Sequence, residues 1–221
     1  MSPTKRLIAA ALLLASCSQP AQTAPTLVAT DAPAGEYSLD PAHADLTFRV
    51  NHIGFSMYTA RFSDFDAVLQ FDPANPAAMS VSATIDVASL ALPAPPEGFT
   101  DELLGPRWFD AARFPHIAFH STSVEISGAN TARVTGDLTL HGQTNPVVLE
   151  AAFNGGYAGH ELEPRARIGF SAHGVFRRSD FGIALGIPPE GSTLGVSDEV
   201  EVRIEAEFNG PPWAQAGQAS Q

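Results

Sequence analysis

His116 and His120 stand four residues apart, the spacing at which two imidazoles on one helical face clamp a zinc ion. On a strand that spacing spans ~13 Å, too far for one ion held by bonds of ~2 Å. The residues around them alternate in polarity, so the strand reading applies and no metal ligand is assigned. His141 and His173 fall on the polar faces of similar stretches and are expected in water. His52 differs: it closes the face of Leu46, Phe48 and Val50, where a buried or rim imidazole could meet a ligand head group. Arg178 and Asp180, two apart in a Gly/Pro-bearing stretch, form either a loop-fixing ion pair or a polar gate at a pocket mouth. An enzyme acting on a hydrophobic substrate would draw its acid–base groups from His43, His52 and Asp101. No paired nucleophile and base accompanies them. Gly54-Phe-Ser-Met-Tyr58 departs from the G-x-S-x-G elbow at its last position, and phosphate-loop and dinucleotide fingerprints are absent. No catalytic residue and no cofactor is assigned.

The single cysteine, Cys17, excludes an internal disulfide. Lys5 and Arg6 precede an apolar run, Leu7 to Leu14, that is too short to span a bilayer. The run ends in Leu14-Ala-Ser-Cys17, which resembles the lipobox of bacterial lipoprotein signal peptides. The resemblance implies cleavage before Cys17, acylation of its thiol and a periplasmic, lipid-anchored protein. Ser18 after the cysteine implies the outer membrane. Removing Lys5 and Arg6 leaves 10 basic residues, all arginine, against 24 acidic ones, a net charge of −14. Such a surface repels phosphate backbones, so nucleic acid is excluded as a partner. Schiff-base chemistry is excluded too, because no lysine remains.

These groups must be positioned by strands. Val134, Gly136, Leu138 and Leu140 alternate with Thr135, Asp137, Thr139 and His141; Gly142 to Pro146 reads as a turn, after which Val147, Leu149, Ala151 and Phe153 resume the pattern. Period-2 patterning recurs over 45–52, 58–71, 79–87, 116–127, 131–141, 146–157, 164–176 and 199–208. The second stretch slips register near Ser63-Asp64, as a bulge or corner would. Thr100-Asp-Glu-Leu-Leu104, with Thr100 as N-cap, and a second turn over 107–112 form a short helical insertion near 100–112. Eight one-sided strands without a helical layer predict an all-β fold, an antiparallel sheet closed into a barrel; a two-sheet sandwich is the alternative. The expected partition is a leader at 1–17, a disordered tether at 18–35, the barrel at 36–209 and a disordered tail at 210–221.

Further residues carry a family pattern. Leu39-Asp-Pro-Ala-His43, Phe48-Arg-Val-Asn-His52, Phe71-Asp72 and Trp108-Phe-Asp110 lead to Phe114-Pro115 and Phe119. Val134 to Gly142 and Arg178-Ser-Asp-Phe-Gly182 follow in order. The chain resembles the YceI-like family of lipocalin-like, polyisoprenoid-binding proteins from Tyr37 to Phe208. That resemblance implies an extended eight-stranded antiparallel barrel holding an isoprenoid chain in its lumen. Many members carry Arg-Asp-x-His-Leu before the Phe-Asp pair; here Thr100 to Leu104 keeps only the aspartate, Asp101, and the last leucine. Head-group recognition at that helix is therefore expected to differ.

By alternation, Phe48, Val50, Leu69, Phe71, Val81, Ile85, Phe119, Leu138, Phe170 and Ile204 point inward, either lining a ligand site or filling a core. All of these but Ile204, with His52, Asp101, Arg178 and Asp180, form the candidate ligand-binding set. An isoprenoid or quinone-like lipid, a membrane reached through the N-terminal acyl anchor and a second copy of the chain are the partners to be tested. A solid-barrel stress or interaction module is the remaining alternative.

Overall fold

Alternating polarity becomes a sheet in the computed structural model, which describes residues 26–213. The leader, Cys17, the first part of the tether and most of the tail lie outside the described residues. In chain order the elements are β1 (Gly35–His52), β2 (Ser56–Phe62), β3 (Phe65–Phe71), β4 (Ser80–Asp86) and β5 (Leu90–Ala91), then α1 (Phe99–Leu104). After it come β6 (His116–Ile126), β7 (Thr131–Leu140), β8 (Gln143–Tyr157), β9 (Arg165–Arg177) and β10 (Val196–Pro212). Neighbours run β10-β9-β8-β7-β6-β4-β3-β1, and β10 pairs back onto β1, which closes the sheet. The closing seam sets Leu46 against Ile204, Phe48 against Val202 and Val50 against Val200. All pairings are antiparallel.

β2 and β3 together make one stave. Leu46–His52 of β1 pairs with β2, and Gly35–Ser38 pairs with β3, with the break falling at Ser63-Asp64. β5 pairs only Arg61↔Ala91 and Phe62↔Leu90. The result is the expected closed eight-stranded antiparallel barrel rather than a sandwich.

Several local expectations are corrected. β1 starts at Gly35, not near Asp45, because a register shift between Leu39 and Ala44 hides the alternation of its first half. The β7–β8 turn is two residues, with His141 at φ 51° and Gly142 at φ 73°; Gln143 to Pro146 already belong to β8. Both central residues must take positive φ in such a turn, which suits glycine and leaves His141 strained. His141 is thus not a solvated strand residue: it is part-buried and its Nδ1 lies 3.1 Å from the Phe181 carbonyl oxygen. α1 is capped by Gly98 at φ 74°, whose carbonyl accepts from Glu102 N–H, and not by Thr100, which lies inside the helix. Residues 107–112 form successive turns instead of helix. There Trp108 and Asp110 N–H bond back to the Gly105 carbonyl.

The tether and tail expectations change at their inner ends. Residues 26–34 have no regular structure, yet they cross one end of the barrel from β1 to the far wall. Ala32 is buried, Thr30 Oγ1 donates to the Gly156 carbonyl (3.2 Å) and Val28 N–H donates to Ala129 (2.9 Å). β10 continues past Asn209 to Pro212, which pairs with Arg165. Gly210 permits this, since a Cβ there would collide with the Tyr37 ring.

Two apolar clusters brace the two ends of the barrel. Leu46, Phe62, Val87, Leu140, Phe181 and Ile183 belong to one, with Leu103, Leu104, Trp108 and Phe109 packed on it. Tyr37, Leu69, Phe71, Ile168 and Phe208 belong to the other. Burying each large apolar side chain contributes ~1.5–3 kcal/mol.

Candidate functional site

Between these clusters the barrel is hollow. A cavity of about 360 Å³ runs along its axis, within the range of small-molecule sites. Its wall is almost wholly hydrocarbon, and the strands' inward positions supply it. Phe48, Val50, Leu69, Phe71 and Val81 line it as alternation predicts, as do Ile85, Phe119, Leu138, Phe170 and Ile204. Aromatic rings step along the wall: Phe48 lies 5.5 Å from Phe62, Phe62 5.8 Å from Phe109, and Phe153 5.3 Å from Phe170.

The polar candidates divide differently. Arg178 lies on the wall and is only 5% exposed. Among the described residues it is the one charged side chain there. Its Nε donates to the Ser197 carbonyl (2.9 Å), Nη1 to Ile183 and Leu185 (2.8 and 2.9 Å), and Nη2 to Val196 (2.9 Å). Burial lowers its pKa, while the charge of Asp198 partly opposes that shift. The expected Arg178–Asp180 ion pair does not form. Asp180 is exposed, and its main-chain carbonyl accepts from Asn145 Nδ2 at 2.8 Å. The carboxylate that orders this loop is instead Asp198, which accepts from Ser179 N–H (2.9 Å) and Oγ–H (2.8 Å).

His52 and Asp101 are also off the lumen wall. His52 is exposed at the end of β1, its ring 6.5 Å from that of Tyr58, and Asp101 is exposed in the first turn of α1. The inward parity of His52 is real, but it stands on the last pair of β1, opposite Ser56 and Val196, where the barrel's rim leaves it exposed. His43 lies outside the lumen too, 3.0 Å from Asp40. With Glu207 these two could surround a metal ion, but Arg167 Nη1 already sits between them. It lies 3.0 Å from Asp40, 2.6 Å from Glu207 and 3.5 Å from His43. Burial raises the Asp40 pKa, yet the hydrogen bonds from His43 and Ala42 N–H and the Arg167 charge outweigh that and leave it lowered. The hydrogen bond to Glu207 raises that of Arg167. The chain's own cation fills the place an ion would take.

The two ends of the lumen are unequal. At the end holding Trp108, Phe109 and Ile183 the cavity is closed by the β5–β6 insertion and the β9–β10 loop. At the other end its lining includes Leu27, Val28, Pro73, Pro76 and Ala129, of which Leu27 is 40% and Val28 50% exposed. That end is the mouth. Sequence patterning missed both sets, since neither lies on a strand. The adjacent Leu27-Val28 pair inside an Ala/Pro/Thr-rich stretch was the available signal.

A closed antiparallel barrel with an apolar lumen and one plugged end defines a lipocalin-like protein. The chain belongs to the YceI-like family, whose domain profile matches residues 37–208. A UPF0312 protein of Pseudomonas savastanoi pv. phaseolicola is 35% identical over 183 residues, covering 79% of this chain and 90% of that protein. The crystal structure of Burkholderia cenocepacia BcnA superposes with a TM-score of 0.65 at 28% identity, over 76% of this chain and 98% of that one. A polyisoprenoid-binding domain from Saccharophagus degradans shares the fold with a TM-score of 0.55 at 16% identity, over 79% and 98% of the two chains.

Proposed function

We propose that this chain is a lipid-anchored periplasmic binding protein that holds a long isoprenoid lipid, polyprenyl or quinone-type, in its lumen. The observation that carries this reading is the hollow hydrocarbon wall from Phe153 and Phe170 to Phe48 and Phe62. The isoprenoid class is consistent with the fold shared with a polyisoprenoid-binding domain, an analogy at the level of fold. The lipobox at Leu14 to Cys17 supports an acyl anchor, and Ser18 supports the outer membrane as its location.

Transfer of a chain from water into the lumen would gain ~0.8 kcal/mol per CH₂. A membrane lipid is already out of water, so the barrel competes with the bilayer rather than with solvent. Net affinity then rests on fit along the wall and on the few polar groups it bears, which suits a carrier or buffer. The acid–base candidates His43, His52 and Asp101 all lie off the lumen, which favours binding over turnover of a hydrophobic substrate.

Native mass spectrometry after gentle extraction tests the proposal. Protein carrying a co-purified lipid of isoprenoid mass ladder is the expected result. Repeated recovery of lipid-free protein that also fails to bind added polyprenyl lipid would overturn it.

A further inference from the structure

The mouth and the entering chain share one end of the barrel, and that coincidence has a functional reading. β1 and β8 are not neighbours but lie on different sides of the closed sheet. Residues 26–34 run from the start of β1 to Gly156 of β8 and on to Ala129 in the β6–β7 turn. They therefore cross the barrel end as a strap, and Leu27 and Val28 contribute lumen wall below while remaining half exposed above.

Two further large apolar side chains stand exposed at the same end among the described residues. Leu162, in the β8–β9 turn, is 90% exposed; Trp213, just past β10, is 46% exposed and is held there by its main-chain N–H, which donates to the Pro164 carbonyl. Only nine residues, 18–26, separate Leu27 from Cys17, a reach of at most ~36 Å. Exposed carboxylates Asp31, Glu36 and Glu161 share this end with one exposed arginine, Arg165, so the balance stays acidic: an anionic surface would be repelled and a zwitterionic one accepted.

The opposite end is the competing candidate, since Phe55 and Leu194 are exposed there on loops joined by the bond from Ile53 N–H to the Gly195 carbonyl. But there the lumen is closed by Trp108, Phe109 and Ile183, and the chain enters from the far side.

We infer that the strapped end docks on the zwitterionic bilayer carrying the Cys17 anchor, with Leu27, Val28, Leu162 and Trp213 as its contact side chains. The lumen then opens toward lipid, and an indole at the rim sits at head-group depth, where tryptophan is favoured. This rests on the anchored-carrier reading above and adds to it the face and the kind of membrane.

Quenching by brominated phosphatidylcholine tests the orientation. Full-length acylated protein is reconstituted into vesicles, with Trp108→Phe leaving Trp213 as the sole indole. Leu194→Trp in a Trp108→Phe, Trp213→Phe background reports the other end. Trp213 emission should shift blue and fall by at least half, while the probe at position 194 stays unquenched. Adding anionic phospholipid should weaken the effect, and Leu162→Asp should slow uptake of polyprenyl lipid from vesicles several-fold while leaving binding from detergent solution unchanged. An acylated, vesicle-bound protein quenched at position 194 and not at Trp213 overturns the orientation alone. A chain recovered unacylated and away from the vesicles overturns the anchor and the orientation together.

Discussion

Arg178 holds its guanidinium 5.4 Å above the ring of Trp108, and that contact joins the two segments that close the inner end of the lumen. Trp108 comes from the turns after α1, and Arg178 begins the helical turn after β9. The arginine also gathers two main-chain carbonyls of the β9–β10 loop, Ile183 and Leu185, and two at the start of β10, Val196 and Ser197, so one buried cation ties a segment with almost no secondary structure of its own to the next strand.

Arg178→Met removes that donor set and leaves the carbonyls of Ile183, Leu185, Val196 and Ser197 facing an apolar wall. Loss of a buried charged donor should cost roughly 3–5 kcal/mol, read as a lower urea midpoint. Arg178→Lys should recover only part of it, because an ammonium cannot present the same planar fork. A loss below about 1 kcal/mol for Arg178→Met would remove the arginine as organiser.

Tyr37 gives the barrel an alkaline limit. Burial pushes its hydroxyl from 10.0 up to about 12, and that hydroxyl donates to the Pro33 carbonyl at 2.8 Å. Between those pH values the unfolded chain has released the proton and the folded one retains it. Stability is therefore intact below about pH 10 and is lost as pH rises through about 12, by on the order of 2–3 kcal/mol. Tyr37→Phe should start ~1 kcal/mol less stable but lose less over that window; parallel pH profiles for the two proteins would refute the assignment.

Filling the lumen should abolish binding while sparing the fold. Val202 lines the cavity and pairs with Phe48 across the closing seam. Val202→Trp places an indole where a guest chain would lie, so affinity for an apolar fluorescent probe should drop at least tenfold. Destabilisation should stay within ~1–3 kcal/mol. Unchanged probe affinity would mean that the probe binds elsewhere.

Gly136→Ala tests the packing of the wall from its inward face. A Cβ there would run into the Phe119 ring, which lines the lumen. The Cβ would also meet the His120 main-chain carbonyl at 2.7 Å, so the expected overpacking cost is ~1–3 kcal/mol and Phe119→Leu should relieve only the ring's share of it in the double variant. Additive losses in that pair would show that the ring contributes none of the strain.

Cys17→Ala addresses the anchor. The variant should move from the membrane to the soluble fraction, since two or more acyl chains are needed for stable attachment. Membrane retention of the variant would overturn the lipobox reading.

Local sequence determined the staves and their facing. Period-2 alternation placed Phe48, Leu69, Phe119, Leu138 and Ile204 inward because a strand's side chains must point to opposite faces, whatever the partner strand. It also marked the break at Ser63-Asp64, where Phe62 and Phe65 could not share a face. Alternation fails where backbone geometry departs from period 2, which is why the first half of β1 and the tight turn at His141-Gly142 were misread. It is equally silent on where the lumen ends along a strand, so His52 has the right parity and the wrong surroundings. Only the tertiary structure decided that Arg178 pairs with carbonyls rather than Asp180, that Arg167 fills the Asp40–His43–Glu207 cluster, and that residues 26–34 cross the mouth. Each of those arrangements joins segments distant in sequence, and the contacts that fix them exist only after the sheet has closed.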